Sequence, residues 1–407
     1  MIWYCYHFVR TMKVLLVFFI AVTTSLGDDL ALQEFTYSNN LFSSSIYTKI
    51  GATAPNFLVC PLSLEIVLAM VHSGCRGETA EEIRTALHLS NNKNEVEKSI
   101  KSLLPSLTGN GFYTLHTADK MYVKNKYPIR PNFKKTAREV YRVHSENIIF
   151  SKKVKAAKTM NYWVARNTKN KIHDIVFPAS LTKRTRVVLL NAVYFKADWS
   201  TPFPRASTRK EYFFKSVFDS ILVDMMHQND AYFNYHESPE LNSKFLELPF
   251  RGEEASMVIA LPNDRTGLVS LENRMDKVLE PRDFNMEYVS VALPKFRVGT
   301  KINLRNSLRS LGVLKVFSEA HADLSGISGR KGDLVLDEIL QKAFIDVGEG
   351  AVEAAAGSDA DLYSARSAAP AFSPIAPTPF VADHPFIFYV KIKKIIVFVG
   401  RVRDPTL

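Results

Sequence analysis

The sequence lacks the motifs on which most catalytic, nucleotide-binding and metal centres depend. Its 407 residues include three cysteines, and its ten histidines show no metal-site spacing. No His-Glu-x-x-His, Walker-type Gly-Lys-Ser/Thr or Gly-x-Ser-x-Gly motif is present. Gly348 and Gly350 are followed by Glu353 where a dinucleotide fingerprint needs a third glycine. We therefore expect no enzyme activity, no metal site and no cofactor.

The sequence also offers no sign of a disulfide framework or of N-linked glycans. Cys5 lies in a segment that we expect to be removed. Cys60 and Cys75 stand near the two ends of one predicted helix, too far apart to pair. No Asn-x-Ser/Thr sequon occurs. With 46% hydrophobic and 23% charged residues, the chain has the composition of a globular protein that is stabilised by its core.

The N-terminus has the pattern of a secretory signal. Lys13 precedes the apolar run Val14–Ala21, and small residues follow up to Gly27. The run is shorter than the roughly 20 apolar residues that span a bilayer. We expect residues 1–27 to be a signal peptide, with Met12 as a second candidate start. The mature chain is then secreted and extracellular; a buried N-terminal helix is the alternative.

Residues 28–407 are predicted to form a single domain. No change of composition divides the chain before residue 350, and no repeat is visible. The apolar runs His384–Val390 and Ile395–Val402 have the pattern of buried strands, and too few residues follow for a second core. The stretch before them, rich in alanine, serine and proline, is therefore an excursion from one body and not a linker between two.

The chain carries an excess of positive charge, part of which forms a stripe. The net charge is +11, and loss of Arg10 and Lys13 with the leader leaves +9. On a helix predicted after Pro131, basic residues recur every four positions: Lys134, Arg138 and Arg142. A sulfated glycosaminoglycan could bind this stripe, although a solvated helix face is the commoner role of such a pattern. We expect no nucleic acid and no membrane as partner, and we expect a monomer.

The segment after Val347 alternates between small and polar side chains. The even positions from 352 to 364 are Val, Ala, Ala, Ser, Ala, Leu and Ser, whereas Glu353, Asp359 and Asp361 occupy odd positions. Period-two alternation is typical of a strand with one buried face, but the glycine and alanine content is typical of an exposed loop. A segment suited to both states predicts a conformational switch; a linker is the alternative.

Several motifs resemble those of the serpin family over essentially the whole mature chain. Cys60–Ser63 resembles the entry into the family's central helix, and Thr79 and Glu82 in the next helix have capping-box spacing. The strand Asn191–Trp199 is the most specific motif. The others, in chain order, are Asn161–Val164, Leu261-Pro262, Leu293–Phe296, Ala382–Phe386 and Phe398–Val402. With all of them in order, the chain is identified as a member of that family.

The resemblance implies an α+β fold of about nine helices around three β-sheets, with a large mixed main sheet and an exposed reactive-centre loop at about residues 349–380. It implies a secreted serine protease inhibitor that acts as a suicide substrate. The protease cleaves the loop and is trapped as an acyl-enzyme while the hinge inserts into the main sheet. A non-inhibitory carrier or chaperone is the alternative, but such relatives tend to have charged, bulky or proline residues in the hinge.

The resemblance also assigns residues to two regions. The implied hinge comprises Glu349, Gly350, Ala351, Val352, Glu353, Ala354, Ala355, Ala356, Gly357 and Ser358. The implied sheet-opening region comprises Ser63, Asn191, Trp199 and Gln341. Three residues depart from the family's pattern: Ala351 replaces a hinge glycine, Cys60 a common serine, and Gln341 a customary histidine. We expect the first to slow insertion and the other two to alter the polar cluster that times sheet opening.

The bond that the target protease would cut is predicted from the loop's single basic residue. From residue 343 to 390, Arg366 is the only lysine or arginine, and a trypsin-like pocket selects a basic residue through its carboxylate. Arg366–Ser367 is therefore the first candidate, and a trypsin-like serine protease is the expected covalent partner. The usual spacing from the hinge points instead to Ala365 and an elastase-like target. Tyr363–Ser364 would suit a chymotrypsin-like one.

Overall fold

The computed structural model describes residues 32–50, 55–107, 111–352 and 376–407. Within these ranges there are nine α-helices and fifteen strands. The helices are α1 (32–50), α2 (Pro61–Gly74), α3 (Gly77–Ala86), α4 (Lys93–Leu107), α5 (Pro131–Glu139), α6 (Lys153–Asn167), α7 (Leu268–Glu272), α8 (Met275–Val278) and α9 (Arg305–Ser310). Short 3₁₀ turns follow at Pro178–Ser180, Arg205–Ser207 and Lys315–Phe317.

The strands form two hydrogen-bonded sheets. In chain order they are β1 (Phe57–Val59), β2 (Tyr113–Lys124), β3 (His144–Ile148), β4 (Val187–Asp198), β5 (Arg209–Phe214), β6 (Ser220–Ser238), β7 (Ser243–Pro249), β8 (Ala255–Pro262), β9 (Asn285–Pro294), β10 (Phe296–Asn303), β11 (Leu336–Val347), β12 (Ala351–Val352), β13 (Thr378–Val381), β14 (Phe386–Ile392) and β15 (Ile395–Val402). The apolar runs near the C-terminus are β14 and β15, so their prediction as buried strands is confirmed.

Six strands form the main sheet, in the order β10-β11-β12-β4-β2-β3. The sheet is mixed, because β11 runs parallel to β4 and β2 parallel to β3, whereas β10–β11 and β2–β4 are antiparallel. α6 covers one face, where Met160 packs with Leu190 of β4. α2 covers the other, where Leu189 and Val193 join the large core. Burial on both faces explains why β4 is apolar at almost every position.

The other sheet has nine strands and unites the two smaller sheets that the resemblance implied. Its order is β1-β15-β14-β8-β7-β6-β9-β13, with β5 paired to β6. β6 is 19 residues long and pairs with β5, β7 and β9, so the two parts are continuous through it. The α+β class and the large mixed main sheet are confirmed.

Cys60 and Cys75 flank α2 as its N-cap and C-cap residues, and both are buried free thiols. The prediction that they do not pair with each other is confirmed. Among the residues that the structure describes, no helix is long and apolar enough to cross a bilayer. The predicted signal peptide, residues 1–27, lies outside the described ranges.

The helix that was predicted to carry the basic stripe ends earlier than its charge pattern indicated. α5 closes at residue 139, and Arg142 lies beyond it in a left-handed turn with φ of 56°. The Val143 N–H donates to the Ala137 carbonyl at 2.9 Å, so the backbone folds back on the last turn of the helix instead of continuing it. Lys134 and Arg138 share an exposed face of α5. The prediction of one helical stripe continuing through Arg142 is wrong.

Candidate functional site

The predicted hinge begins inside the main sheet. β12 lies between β11 and β4 and is antiparallel to both, so that Val352 pairs with Val347 on one side and with Ala197 on the other. Further along, β4 and β11 pair directly with each other over Leu336–Phe344 of β11. The sheet is therefore forked at one end, and the first hinge residues occupy the fork.

Glu349 anchors the chain where it turns from β11 into β12. Its carboxylate accepts hydrogen bonds from Lys295 Nζ (3.0 Å) and Thr208 Oγ1 (3.1 Å), and its carbonyl accepts the Phe203 N–H (2.9 Å). Burial alone would raise the pKa of Glu349, but its own backbone N–H, Lys295 and Thr208 outweigh burial and hold the pKa below its usual range. Glu349 is therefore an ionised anchor at neutral pH.

Trp199 lies at the same end of the sheet. Its indole Nε1 donates to the Gly348 carbonyl at 2.9 Å, and its backbone N–H donates to the Gly350 carbonyl at 3.3 Å. The buried ring stacks on Phe250 with centroids 4.7 Å apart. Eight residues of extended chain, about 26 Å, separate Trp199 from Asn191. Trp199 therefore lies at the fork, apart from the other three residues of the implied sheet-opening region.

The other three predicted sheet-opening residues do come together. Asn191 of β4 and Gln341 of β11 are register partners, and Gln341 Nε2 donates to Asn191 Oδ1 across the β4–β11 seam. The Gln341 amide also makes two bonds of 2.9 Å to the Cys60 backbone, one to its carbonyl and one from its N–H. Asn191 Nδ2 in turn donates to Ser63 Oγ. The glutamine thus ties β11 to the start of α2 and to β4.

Asp119 completes this cluster, and the sequence reasoning missed it. It is the register partner of Asn191 on β2, and its carboxylate accepts bonds from Asn191 Nδ2 and from Ser63 Oγ (3.1 Å). Burial raises its pKa to about 7, although bonds from Ser63, Asn191 and Thr117 oppose that rise. A signal existed: Asp119 lies two residues before the buried Met121 in β2, so period two places both side chains on the same buried face.

The arrangement suits mechanical opening better than chemistry on a small molecule. A further strand can enter only where β4 and β11 separate, which breaks their ladder and the Asn191–Gln341 bond. In the part of the chain that the structure describes, no group of three or more His, Cys, Asp or Glu side chains could hold a metal ion. The hinge residues Glu353–Ser358 and the candidate bonds from Tyr363 to Ser367 lie outside the described residues.

Comparison with known proteins gives the same family as the motifs. The family model described as Serpin (serine protease inhibitor) matches residues 37–405. The leukocyte elastase inhibitor of Homo sapiens is 32% identical over 390 residues, which cover 92% of this chain and all of that one. Serpin48, a highly specific serpin of the insect Tenebrio molitor, has a crystal structure that is 46% identical with a TM-score of 0.84, covering 91% of this chain and 98% of that one.

A crystal structure of native protease nexin-1 with heparin is 27% identical, with a TM-score of 0.79, and covers 92% of this chain and all of that one. Family model, relatives and solved structures agree over the same stretch of sequence, and the predicted serpin fold is confirmed. The chain belongs to the serpin family of serine protease inhibitors.

Proposed function

We propose that this chain is a secreted inhibitor of trypsin-like serine proteases that traps its target by inserting its cleaved loop into the main sheet. The observation that carries the proposal is the position of β12, which lies between the two strands that insertion must separate. The loop therefore needs no search for its docking site after cleavage, because its first residues are already in register there.

Continuing that register predicts where the rest of the hinge would go. Each step from Val352 moves one residue back along both β4 and β11. Ala354 would then lie between Phe195 and Ile345, and Ala356 between Val193 and Ala343. Ser358 would reach Asn191 and Gln341, in the place of their mutual bond. These neighbours, with the exception of the amides, belong to the apolar core on the α2 side.

The alternation of the loop sequence fits this register. Even positions from 352 to 364 are small or apolar and would face the α2 side, whereas Glu353, Asp359 and Asp361 would face the other way. A slip of one residue would bury those three carboxylates, at several kcal/mol each if they stayed unpaired. The correct register adds ladder hydrogen bonds and apolar contacts on both sides, roughly ten kcal/mol or more over such a strand.

The covalent step follows from the chemistry of serine proteases. The protease serine Oγ attacks the Arg366 carbonyl carbon and forms an ester, and the bond to the Ser367 nitrogen breaks. That nitrogen leaves as an amine with the proton that the protease histidine took from the serine. Insertion then carries the ester-linked protease along the sheet before water can hydrolyse the ester.

The test mixes residues 28–407 with trypsin and looks for an adduct that survives denaturing electrophoresis. The mass of the released C-terminal peptide identifies the bond: we expect it to begin at Ser367. Elastase and chymotrypsin are tested in parallel, because trypsin does not cut after Ala365 or Tyr363. An adduct whose released peptide begins at Arg366 would indicate the elastase-like alternative, and one whose peptide begins at Ser364 the chymotrypsin-like one. Arg366→Ala should abolish the adduct, and Arg184→Ala, an exposed control, should leave it unchanged. Cleavage without any adduct would reject trapping.

Secretion has its own test. We expect eukaryotic cells that express residues 1–407 to release protein whose first residue is Asp28. Retention of the uncleaved leader in the cell would reject this part and leave the trapping mechanism untouched.

We also propose that a sulfated glycosaminoglycan binds the exposed face of α5. Lys134 and Arg138 are exposed there, one helical turn apart, and a structurally similar serpin was crystallised with heparin. The double variant Lys134→Ala/Arg138→Ala should leave a heparin column at lower salt than the parent, because fewer counterions are released on binding. Arg142→Ala is the comparison variant, because Arg142 lies beyond the end of α5. Elution of the double variant and the parent at the same salt concentration would reject the site.

A further inference from the structure

Asp119 is a buried acid whose hydrogen-bond partners are neutral. The residue is 6% exposed, and its carboxylate accepts bonds from the Ser63 hydroxyl, the Asn191 amide and the Thr117 hydroxyl. An ionised carboxylate in such a position is costly, because neutral donors replace only part of its hydration. This cost exists only while the surroundings stay closed to water.

Opening of the sheet changes those surroundings. β2 and β4 share an unbroken antiparallel ladder from Tyr113 to Val123, so Asp119 and Asn191 move together. Gln341 holds both backbone groups of Cys60, so α2 stays with β11. When β4 moves away from β11, Asp119 must therefore leave Ser63, which belongs to α2.

Space for water is already adjacent. A cavity of about 50 Å³ borders Asp119, and a water molecule needs roughly 10–15 Å³ of such volume. Its walls include Ser63 and Thr117 together with apolar side chains of α4. A small movement of β2 would therefore let water reach the carboxylate.

Few other charged or titratable groups face this carboxylate. α2 contributes the Cys60 thiol, and the turn after α5 contributes Tyr141 and Arg142, the latter exposed. β4 and β11 contribute the neutral amides already described. Lys120, the next residue of β2, lies on the opposite face, where it pairs with Glu146 at 2.7 Å and lies 4.8 Å from the Trp163 ring.

We propose that Asp119 is a positioning residue for loop insertion, and that loss of its proton speeds the separation of β4 from β11. The proposal rests on the proposed function, since insertion is the step that it controls. The closed sheet favours the protonated carboxyl, and the opening sheet favours the hydrated carboxylate. By linkage, a higher pH therefore favours opening. With a closed-state pKa of about 7 and an ordinary value near 4, the effect between pH 6 and pH 8 is at most about tenfold.

The experiment measures sheet opening without a protease. A fluorescent peptide with the sequence of residues 352–364 is mixed with the intact protein, residues 28–407, and its rate of uptake into the main sheet is followed at pH 6 and pH 8. We expect uptake to be about three- to tenfold faster at pH 8. The acids of the peptide stay ionised throughout this range and do not contribute.

Two variants assign the effect. Asp119→Asn should take up peptide at the same rate at both pH values. Asp119→Ser, which also cannot ionise, replaces it in this experiment if the asparagine variant does not fold. His116→Gln should keep the pH dependence of the parent, because His116 lies on the α6 side of β2, where its ring is stacked with Tyr194. A parent rate that does not depend on pH, or a pH dependence that survives in both Asp119 variants, would overturn the proposal.

The outcome is separable from that of the proposed function. If the protein takes up peptide with this pH profile but traps no protease, the inhibitory function fails and the role of Asp119 stands. If it traps trypsin but takes up peptide at a rate independent of pH, the reverse holds.

Discussion

Lys295 Nζ lies 3.0 Å from Glu349 Oε2, and this ion pair joins the junction of β9 and β10 to the first residue of the hinge. The Glu349 side chain is 15% exposed and that of Lys295 is 41% exposed, so water screens the pair only in part. With the Thr208 hydroxyl on the same carboxylate, the pair fixes the point at which the chain leaves β11.

Reversal of charge at this anchor should open the fork. Glu349→Lys would place two ammonium groups together and would leave the Thr208 hydroxyl without its acceptor. We expect the free energy of unfolding to fall by about 1–2 kcal/mol. We expect the variant to form oligomers on mild heating, because an emptied fork can accept the loop of another molecule. Size-exclusion chromatography after incubation measures this.

The matched control for that experiment is Glu280→Lys, which breaks the exposed pair of Lys277 and Glu280 at 3.1 Å. It should remain monomeric under the same heating. Equal oligomer formation by both variants would show that surface charge, and not the hinge anchor, is responsible.

The predicted register gives a pair of substitutions that differ by one position. Ala354→Glu would place a carboxylate between Phe195 and Ile345, both buried, at several kcal/mol. Ala355→Glu would point to the opposite face, where Phe344 is half-exposed. Neither variant adds a trypsin site, because trypsin selects basic residues. We expect the first variant to be cleaved by trypsin as an ordinary substrate and the second to keep forming adducts. The measurement is the number of inhibitor molecules consumed per trypsin inactivated; equal numbers would contradict the register.

Much of the fold was predictable because short-range hydrophobic patterns in the sequence indicate which segments form buried strands. The apolar runs of β4, β14 and β15 have both faces buried, and such strands show as unbroken hydrophobic stretches. The alternation after Val347 likewise predicted strand pairing, and the first residues of that segment form β12. Its register against Ala197 could not be predicted, because pairing between strands some 150 residues apart leaves no local signal.

The parts that failed depend on tertiary contacts. Thr79 and Glu82 have capping-box spacing, yet the Thr79 hydroxyl accepts the Asp323 N–H, and the Glu82 carboxylate accepts the N–H groups of Leu314 and Lys315. The two side chains thus serve a distant segment and not their own helix. Lys295 was missed as the partner of Glu349 for the same reason, since 54 residues separate them.

A second buried acid predicts how stability depends on pH. Glu65 of α2 is fully buried and accepts bonds from Ser38 Oγ (3.2 Å) and Asn39 Nδ2 (3.1 Å) of α1. Burial raises its pKa to about 8, and the two bonds oppose that rise only in part. The folded state therefore holds a proton that the unfolded state releases near pH 4.5. The contribution to the free energy of unfolding is at its full value below that pH and falls as the pH rises to about 8, by roughly 4 kcal/mol.

Glu65→Gln should remove this share of the pH dependence, because the amide keeps an acceptor and cannot ionise. Urea midpoints at pH 5 and pH 8 measure it, with the exposed Glu34→Gln as control. Asp119, whose pKa is also raised, contributes with the same sign, so the slope should flatten without vanishing. A slope in Glu65→Gln as steep as in the parent would contradict the assignment.

The last prediction concerns the protein after cleavage. Insertion breaks the bond from Gln341 Nε2 to Asn191 Oδ1. The register brings the Ser358 hydroxyl to that place, where it can accept a bond from Gln341 Nε2 and donate one to Asn191 Oδ1. Ser358→Ala would leave both amides short of a partner, at about 1–3 kcal/mol. We expect a lower denaturation midpoint for the cleaved variant and no change for the intact one. Ser364→Ala should alter neither form, because the register places Ser364 opposite Thr185, before β4 begins at Val187. If both substitutions lower the midpoint of the cleaved protein equally, Ser358 does not lie between Asn191 and Gln341.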